Sequence, residues 1–268
     1  MFLMSSPVLP SSQGGDLRCE RQGDTFLLTP ERALWRAATR TLYIADPHFG
    51  KAAVYRGLGQ PVPGGTTAQT LVVLDRVLRR FEPDALVILG DFLHARGAQG
   101  ASTIDALVTW RTHWPDLACV LVRGNHDARA GDPPAVLAIE TVNAPWIDAG
   151  LAACHEPPSG LASAAMPSAA VAFCATTTPF APRTTSAVSD SSADLATVRY
   201  TLAGHIHPVV SLRGGGRDSL RLPCFDMGPK LGVLPAFGAF TGGWPVIRQP
   251  GHMLGVIADD RVLAYGDD

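Results

Sequence analysis

Charge and long apolar runs are both scarce in this chain. Only 17% of its 268 residues are charged and the formal net charge is −2. No broad basic surface is therefore available to gather phosphate, and a nucleic-acid partner needs a local patch or bound metal. The longest unbroken apolar runs, such as Ala85–Leu89 and Ala118–Val122, fall far short of the roughly 20 residues that span a bilayer. Residues 1–13 hold no Lys or Arg and are broken by Pro7 and Pro10. That is unlike a secretory signal, so the cytoplasm is the expected compartment and no membrane partner is expected. Cysteine is sparse: Cys19, Cys119, Cys154, Cys174 and Cys224 are odd in number and scattered. They fit neither a disulfide framework nor paired zinc motifs and are expected as reduced, mostly buried thiols. Low charge does not mean low order, because 46% of the residues are hydrophobic, enough for a packed core in one large domain.

Apolar periodicity predicts a helix over Thr66–Phe81, where Leu71, Leu74, Leu78 and Phe81 recur at three- and four-residue steps and Thr66 or Thr67 can cap the start. A second helix is predicted over residues 102–114, with Ser102 and Asp105 in capping-box-like spacing and Pro115 ending it. Short apolar runs at 42–45, 85–89, 118–122, 151–154 and 200–203 read as buried strands. Alternating strands and helices imply an α/β class. Toward the end, residues 209–213, 220–223, 254–258 and 262–265 read as short strands joined by glycine-rich turns, including 214–216, and suggest an antiparallel sheet. Residues 1–24 are expected to be a flexible leader and 25–268 a single domain. Within it, the Ala-, Ser-, Thr- and Pro-rich stretch at about 157–197 reads as an insertion, with one short strand conceivable at 169–174.

Each apolar strand run ends at once in residues of metal-ligand type. The first runs into Asp46-Pro47-His48, the second into Gly90-Asp91, and the third into Gly124-Asn125-His126-Asp127; the last two run into His155 and Gly204-His205-Ile206-His207. Strand carboxyl ends share one edge of an α/β sheet, so the five loops should converge on one crevice. Gly90, Gly124 and Gly204 precede the polar residues and are expected to permit tight turns. Carboxylate, amide and imidazole together suit Mn²⁺, Fe²⁺ or Zn²⁺. One ion could be held by Asp46, His48 and His207, and a second by Asn125, His155 and His205, with Asp91 bridging. Two cations roughly 3.5–4 Å apart can activate a bridging hydroxide for in-line attack and clamp phosphoryl oxygens. The implied reaction is hydrolysis of a phosphate ester. His126 is left over, flanked by Asn125 and by Asp127, which could fix its tautomer. A histidine titrates near neutrality and can protonate a departing alkoxide.

In this order the residues resemble the signature of the calcineurin-like metallophosphoesterases. Further stretches resemble the DNA-ligase-associated branch of that superfamily: Leu28-Thr29-Pro30-Glu31-Arg32-Ala33-Leu34-Trp35, His48-Phe49-Gly50-Lys51, Arg123 to Asp127 followed by Gly131-Asp132-Pro133-Pro134, and residues 220–243 with Pro235-Ala236-Phe237-Gly238. The resemblance runs from about Thr25 to Tyr265. It implies an α/β/β/α sandwich of two mixed sheets flanked by helices. It also implies a manganese-dependent phosphodiesterase or DNA endonuclease, acting in DNA repair beside an ATP-dependent ligase and a helicase. The metal roles above carry over, with His126 as acid or transition-state stabiliser. Separately from the resemblance, Asn125, His94, Arg123 and Arg129 are candidates for substrate contact. Departures from the family pattern are Pro47, at a position more often aliphatic, and the insertion after His155.

Singly, most of these residues have ordinary readings: Gly-Asp after a strand is a common turn, and only the ordered set is specific. His94 could touch a substrate phosphate or be a satisfied surface histidine. His113 reads as a helix-end cation, His252 has no ligand companion in sequence, and strand alternation turns Cys154 into the core. Arg213, Arg217, Arg221 and Lys230 form the most basic run, either tracking a phosphate backbone or lining a solvated hairpin. Hydrolysis of a small nucleotide or a nucleotide-diphospholipid is the competing function, and it would need an apolar acyl groove. No helical apolar stripe at 161–180 supplies one. A non-catalytic scaffold is disfavoured because the ligand set and His126 are complete.

Overall fold

The computed structural model describes residues 15–161, 196–214 and 219–265. Two sheets face one another. In the first, β1 (Leu17–Arg21), β2 (Asp24–Leu28), β3 (Leu34–Arg36), β4 (Thr41–Ala45), β5 (Ala85–Leu89), β6 (Ala118–Val122) and β7 (Glu140–Val142) lie side by side in chain order. The β1–β4 pairs are antiparallel and the β4–β7 pairs parallel.

The second sheet contains β8 (Trp146–Asp148), β9 (Leu151–Ala153), β10 (Tyr200–Ala203), β11 (Pro208–Arg213), β12 (Ser219–Met227), β13 (Leu231–Val233), β14 (Trp244–Pro245), β15 (Met253–Ala258) and β16 (Arg261–Tyr265). Here β10 runs parallel to β9 and β13. The β11–β12, β12–β15 and β15–β16 pairs are antiparallel, as expected of the C-terminal strands.

Helices α1 (Lys51–Gly57), α2 (Thr66–Phe81), α3 (Ala101–Thr112) and α4 (Asp127–Ala130) all precede β7.

The continuous apolar runs of β4, β5 and β6 follow from burial on both faces. Leu42, Ile44, Leu86, Ile88 and Leu121 turn toward α2 and α3, where they meet Leu74, Leu78, Leu107 and Trp110. Their alternates Tyr43, Ala45, Val87, Leu89, Val120 and Val122 pack between the sheets against Leu151, Tyr200, Leu202 and Phe225. Period-two alternation thus assigns each strand residue to one of two cores. Buried Arg36 ties the sheets polarly, bonding both oxygens of Asp24 and the carbonyls of Asp148 and Ala149.

Several local expectations change. The leader boundary at 24 is too late, because Leu17–Arg21 pairs with β2; residues 1–14 lie outside the described part. No threonine caps α2: Gly65 takes the N-cap in a left-handed conformation (φ 76°). Thr67 accepts a bond from the Gly50 amide instead. The second helix begins at Ala101 and ends at Thr112, with Gly100 and no capping box at its start. Most of the 157–197 insertion lies outside the described residues, as do the strand proposed at 169–174, Cys174 and part of the 214–216 turn. Cys19, Cys119, Cys154 and Cys224 are buried free thiols.

Candidate metal centre

The carboxyl ends of β4, β5 and β6 in one sheet and of β9 and β10 in the other open onto a common crevice. Asp46, His48, Asp91, His205 and His207 all sit at left-handed backbone positions, with φ of 52°, 45°, 51°, 67° and 51°. The chain therefore turns sharply as β4, β5 and β10 end, and strained positions of this kind collect where a site requires them. Of the three glycines, Gly90 has the expected role and the other two a different one. Only Gly90 has a positive φ (75°), while Gly124 and Gly204 are glycine because side chains press against them. A Cβ on Gly124 would lie 2.4 Å from Asp91 Oδ1, and one on Gly204 would lie 2.7 Å from Asp46 Oδ2.

The two donor sets expected from the sequence come together. Asp46 Oδ1 lies 3.3 Å from His207 Nε2, and Asp46, His48 and His207 form one compact group. The second set gathers on His155 Nε2, which lies 2.9 Å from Asn125 Oδ1, 3.1 Å from His205 Nδ1 and 3.4 Å from Asp91 Oδ1. Asp91 stands between them, its Oδ2 facing His48 Nε2 at 3.7 Å. Backbone carbonyls fix two of the rings. His155 Nδ1–H donates to Leu89 (3.0 Å) and His207 Nδ1–H to Gly242 (3.2 Å), which leaves each Nε2 lone pair aimed inward. No sequence signal marks such carbonyls.

The donors fit divalent cations. Among the described residues, Asp46 Oδ1 and His207 Nε2 are buried without a hydrogen-bond partner, an arrangement that is costly unless another group completes it. Electrostatics agree. Burial acts to raise the Asp46 carboxyl, but the His207, His155 and His48 imidazoles outweigh it and hold the group well below the usual carboxylate range. Burial likewise opposes charge on His155 and His207, yet the adjoining carboxylates raise both. Burial depresses His48. It raises Asp91, with Asp46 adding to the rise.

The calcineurin-like phosphoesterase profile matches residues 39–174. The chain belongs to that family. This phosphoesterase is similar to a crystal structure of nuclease MPE from Pseudomonas putida, with 36% sequence identity over 94% of this chain and 100% of that one and a TM-score of 0.70. A second solved structure, Yfce, a phosphoesterase from E. coli, is 14% identical over 84% of this chain and 96% of that one, with a TM-score of 0.35. Comparison with curated proteins gives no match. The family and the donor clusters together make the chain a metal-dependent phosphoesterase.

Other expected site residues of the phosphoesterase fare unequally. His126 stands at the crevice edge with Nε2 3.9 Å from Asp91 Oδ2. Its tautomer is fixed by the His94 carbonyl, which accepts from Nδ1–H at 2.7 Å, and not by Asp127. The Asp127 carboxylate accepts from the amides of Asp91, Phe92 and Gly124 at 2.8–2.9 Å. It therefore holds the β5 and β6 loops together instead of serving the imidazole. Arg123 is turned to Asp132 and Asn143, and Arg129 lies on the short α4. His94 stacks on His126 with centroids 4.9 Å apart, and burial lowers it to about 4, so it is neutral at neutral pH. Cys154 is buried as expected, and His113 caps the end of α3. His252 has a companion that sequence did not reveal, Asp226 at 2.6 Å. Arg213 and Arg221 sit on exposed positions of the β11–β12 hairpin and Lys230 is exposed before β13, while Arg217 is outside the described residues.

Proposed function

We propose that this phosphoesterase is a nuclease cleaving phosphodiester bonds of nucleic acid, DNA in the first instance, with two divalent ions, manganese by preference. The observation that carries the reading is Asp91 standing between the two donor sets with the His126 imidazole open beside it. Likeness to a nuclease along nearly the whole chain supports the substrate class. Asp46, His48 and His207 would hold one ion and Asn125, His155 and His205 the other, with Asp91 shared. Bound there, the ions supply a nucleophile at neutral pH and neutralise phosphoryl charge. The chain's own contribution to bond breaking is His126. With Nδ1–H held by the His94 carbonyl, Nε2 is the nitrogen free to face the substrate, and the doubly protonated ring would give its Nε2 proton to the leaving oxygen and remain as the Nδ1–H imidazole. DNA repair in the cytoplasm beside an ATP-dependent ligase and a helicase is the setting the family resemblance suggests.

His126→Ala tests the assignment. Metal content should persist, while hydrolysis of DNA or alkyl diesters should fall by roughly 10²–10⁴-fold, the range for a positioned general acid. Nitrophenyl diesters, whose leaving group needs little protonation, should suffer much less. Equal losses for both classes would recast His126 as a phosphate-oxygen donor. Manganese-loaded protein should incise circular single-stranded DNA in preference to a cyclic nucleotide or a nucleotide-diphospholipid, and the reverse order would remove the nuclease reading.

A further inference from the structure

One face of α1 carries a cation and a ring that the chemistry above leaves unused. Lys51 opens α1, its amide donating to the His48 carbonyl at 3.1 Å. Its half-buried side chain lines a small cleft with His48, Thr67, Thr70 and Phe240. Among the described residues no hydrogen bond or ion pair engages the ammonium. Asp91 and Asp46 are near enough to oppose the effect of burial on it, and its charge is felt in turn by His48, His94 and His207. Both carboxylates are needed by the ions. Once they are so engaged, an anionic ligand is what remains to balance a partly desolvated lysine.

Tyr55 lies one helical turn further along, on the same face of α1. Its ring stacks on His94 with centroids 5.7 Å apart and planes 26° apart, and Phe240 closes one edge at 6.3 Å and 79°. Since His94 in turn stacks on His126, a row of rings leads outward from the group that would protonate the leaving oxygen.

We propose that Lys51 and Tyr55 form a nucleotide subsite. Lys51 grips a non-bridging oxygen of the phosphate at or next to the scissile bond, and Tyr55, with the edge of Phe240, supports the adjoining base. The inference rests on the nucleic-acid reading above and names the residues that give it selectivity. An aromatic face accepts any base while a lysine tracks the backbone, the combination by which single strands are held.

Steady-state kinetics of the metal-loaded full chain would test this on a short single-stranded oligonucleotide and an equally long abasic backbone, across a salt series. Lys51→Gln should raise KM for both substrates and reduce the slope of log KM against log salt by about one, the signature of one lost phosphate contact. Tyr55→Ala should raise KM for the base-bearing oligonucleotide by about 5- to 100-fold, the range for one lost base stack, and so narrow its advantage over the abasic strand. Tyr55→Phe should restore that advantage. Metal content and melting temperature serve as folding controls, with Tyr55→Leu as the second variant where alanine unfolds the protein. An unchanged salt slope in Lys51→Gln, or equal losses on both substrates in the Tyr55 variants, overturns the subsite while leaving the nuclease reading standing. Failure of the unaltered enzyme to prefer either oligonucleotide over a nitrophenyl diester overturns the nuclease reading itself, and the subsite with it.

Discussion

Replacing Gly124 with alanine adds one methyl group where three atoms already crowd. The new carbon would stand 2.4 Å from Asp91 Oδ1, 2.7 Å from the Asp91 amide nitrogen and 3.0 Å from His155 Cδ2. Ordinary contact begins near 3.4 Å, so the carboxylate has to retreat by about 1 Å to relieve the overlap. The amide cannot follow freely, because it is bound by Asp127 at 2.8 Å. Gly124 does not occupy the left-handed region, so alanine suits its backbone and the effect isolates the clash; at Gly90, with φ of 75°, strain and clash would be mixed. Overpacking of this kind costs about 1–3 kcal/mol, which a protein of this size survives. Displacement of a reacting group by about 1 Å costs on the order of 10²-fold in rate. Gly124→Ala should therefore fold with a modestly lowered melting temperature, lose part of its metal on dialysis, and hydrolyse a nitrophenyl diester about a hundredfold more slowly at saturating manganese. Full metal content with activity within about twofold of the parent would show that Asp91 is not the shared ligand, or that its position is not critical.

Asp91→Asn should weaken both ion sites together, so that elemental analysis falls from two ions per chain by more than one; loss of a single ion would assign Asp91 to one site. Arg36→Leu leaves buried Asp24 with only a 3.7 Å contact to the exposed Arg199 guanidinium and should lower unfolding free energy in urea by about 3–5 kcal/mol. The double variant Arg36→Leu/Asp24→Leu should recover part of that, and no recovery would argue against an unpaired-charge penalty. Burial pushes the Cys119 and Cys154 thiols up to about 11, so folding favours their protonated forms. The associated stability is intact below the ordinary thiol value of about 8.5 and is lost as pH climbs toward 11. Iodoacetamide at pH 8 should spare both residues in the native protein and modify them in urea, as peptide mapping would report.

Strand boundaries of the parallel core were legible because burial on both faces leaves runs such as Leu86-Val87-Ile88-Leu89 with no polar residue to blur them. The ligands were legible because each run stops abruptly at a charged or imidazole side chain. The first three strands were not, since Leu17–Arg21 alternates charged with apolar residues on the sheet edge and Leu34–Arg36 is too short for a period to register. Helix caps misled for a related reason: Thr66, Thr67 and Ser102 are cap-forming types, yet Gly65 and Gly100 supply the entry geometry without a side-chain bond. Asp127 shows the limit of adjacency. Neighbouring His126 in sequence suggested that it orients the ring, but a side chain at the start of a short helix points back to the loops, where amides waited for an acceptor.

Five expected ligands hold left-handed backbone angles that glycine or asparagine would adopt with less strain. Foldability and chemistry therefore select for different residues at Asp46, His48, Asp91, His205 and His207. A variant library ranked by heat resistance alone would drift toward glycine and asparagine at these positions and return well-folded, inert protein. Only a screen that also scores turnover would retain the site, so efforts to harden this enzyme should leave the strand ends fixed and seek gains elsewhere.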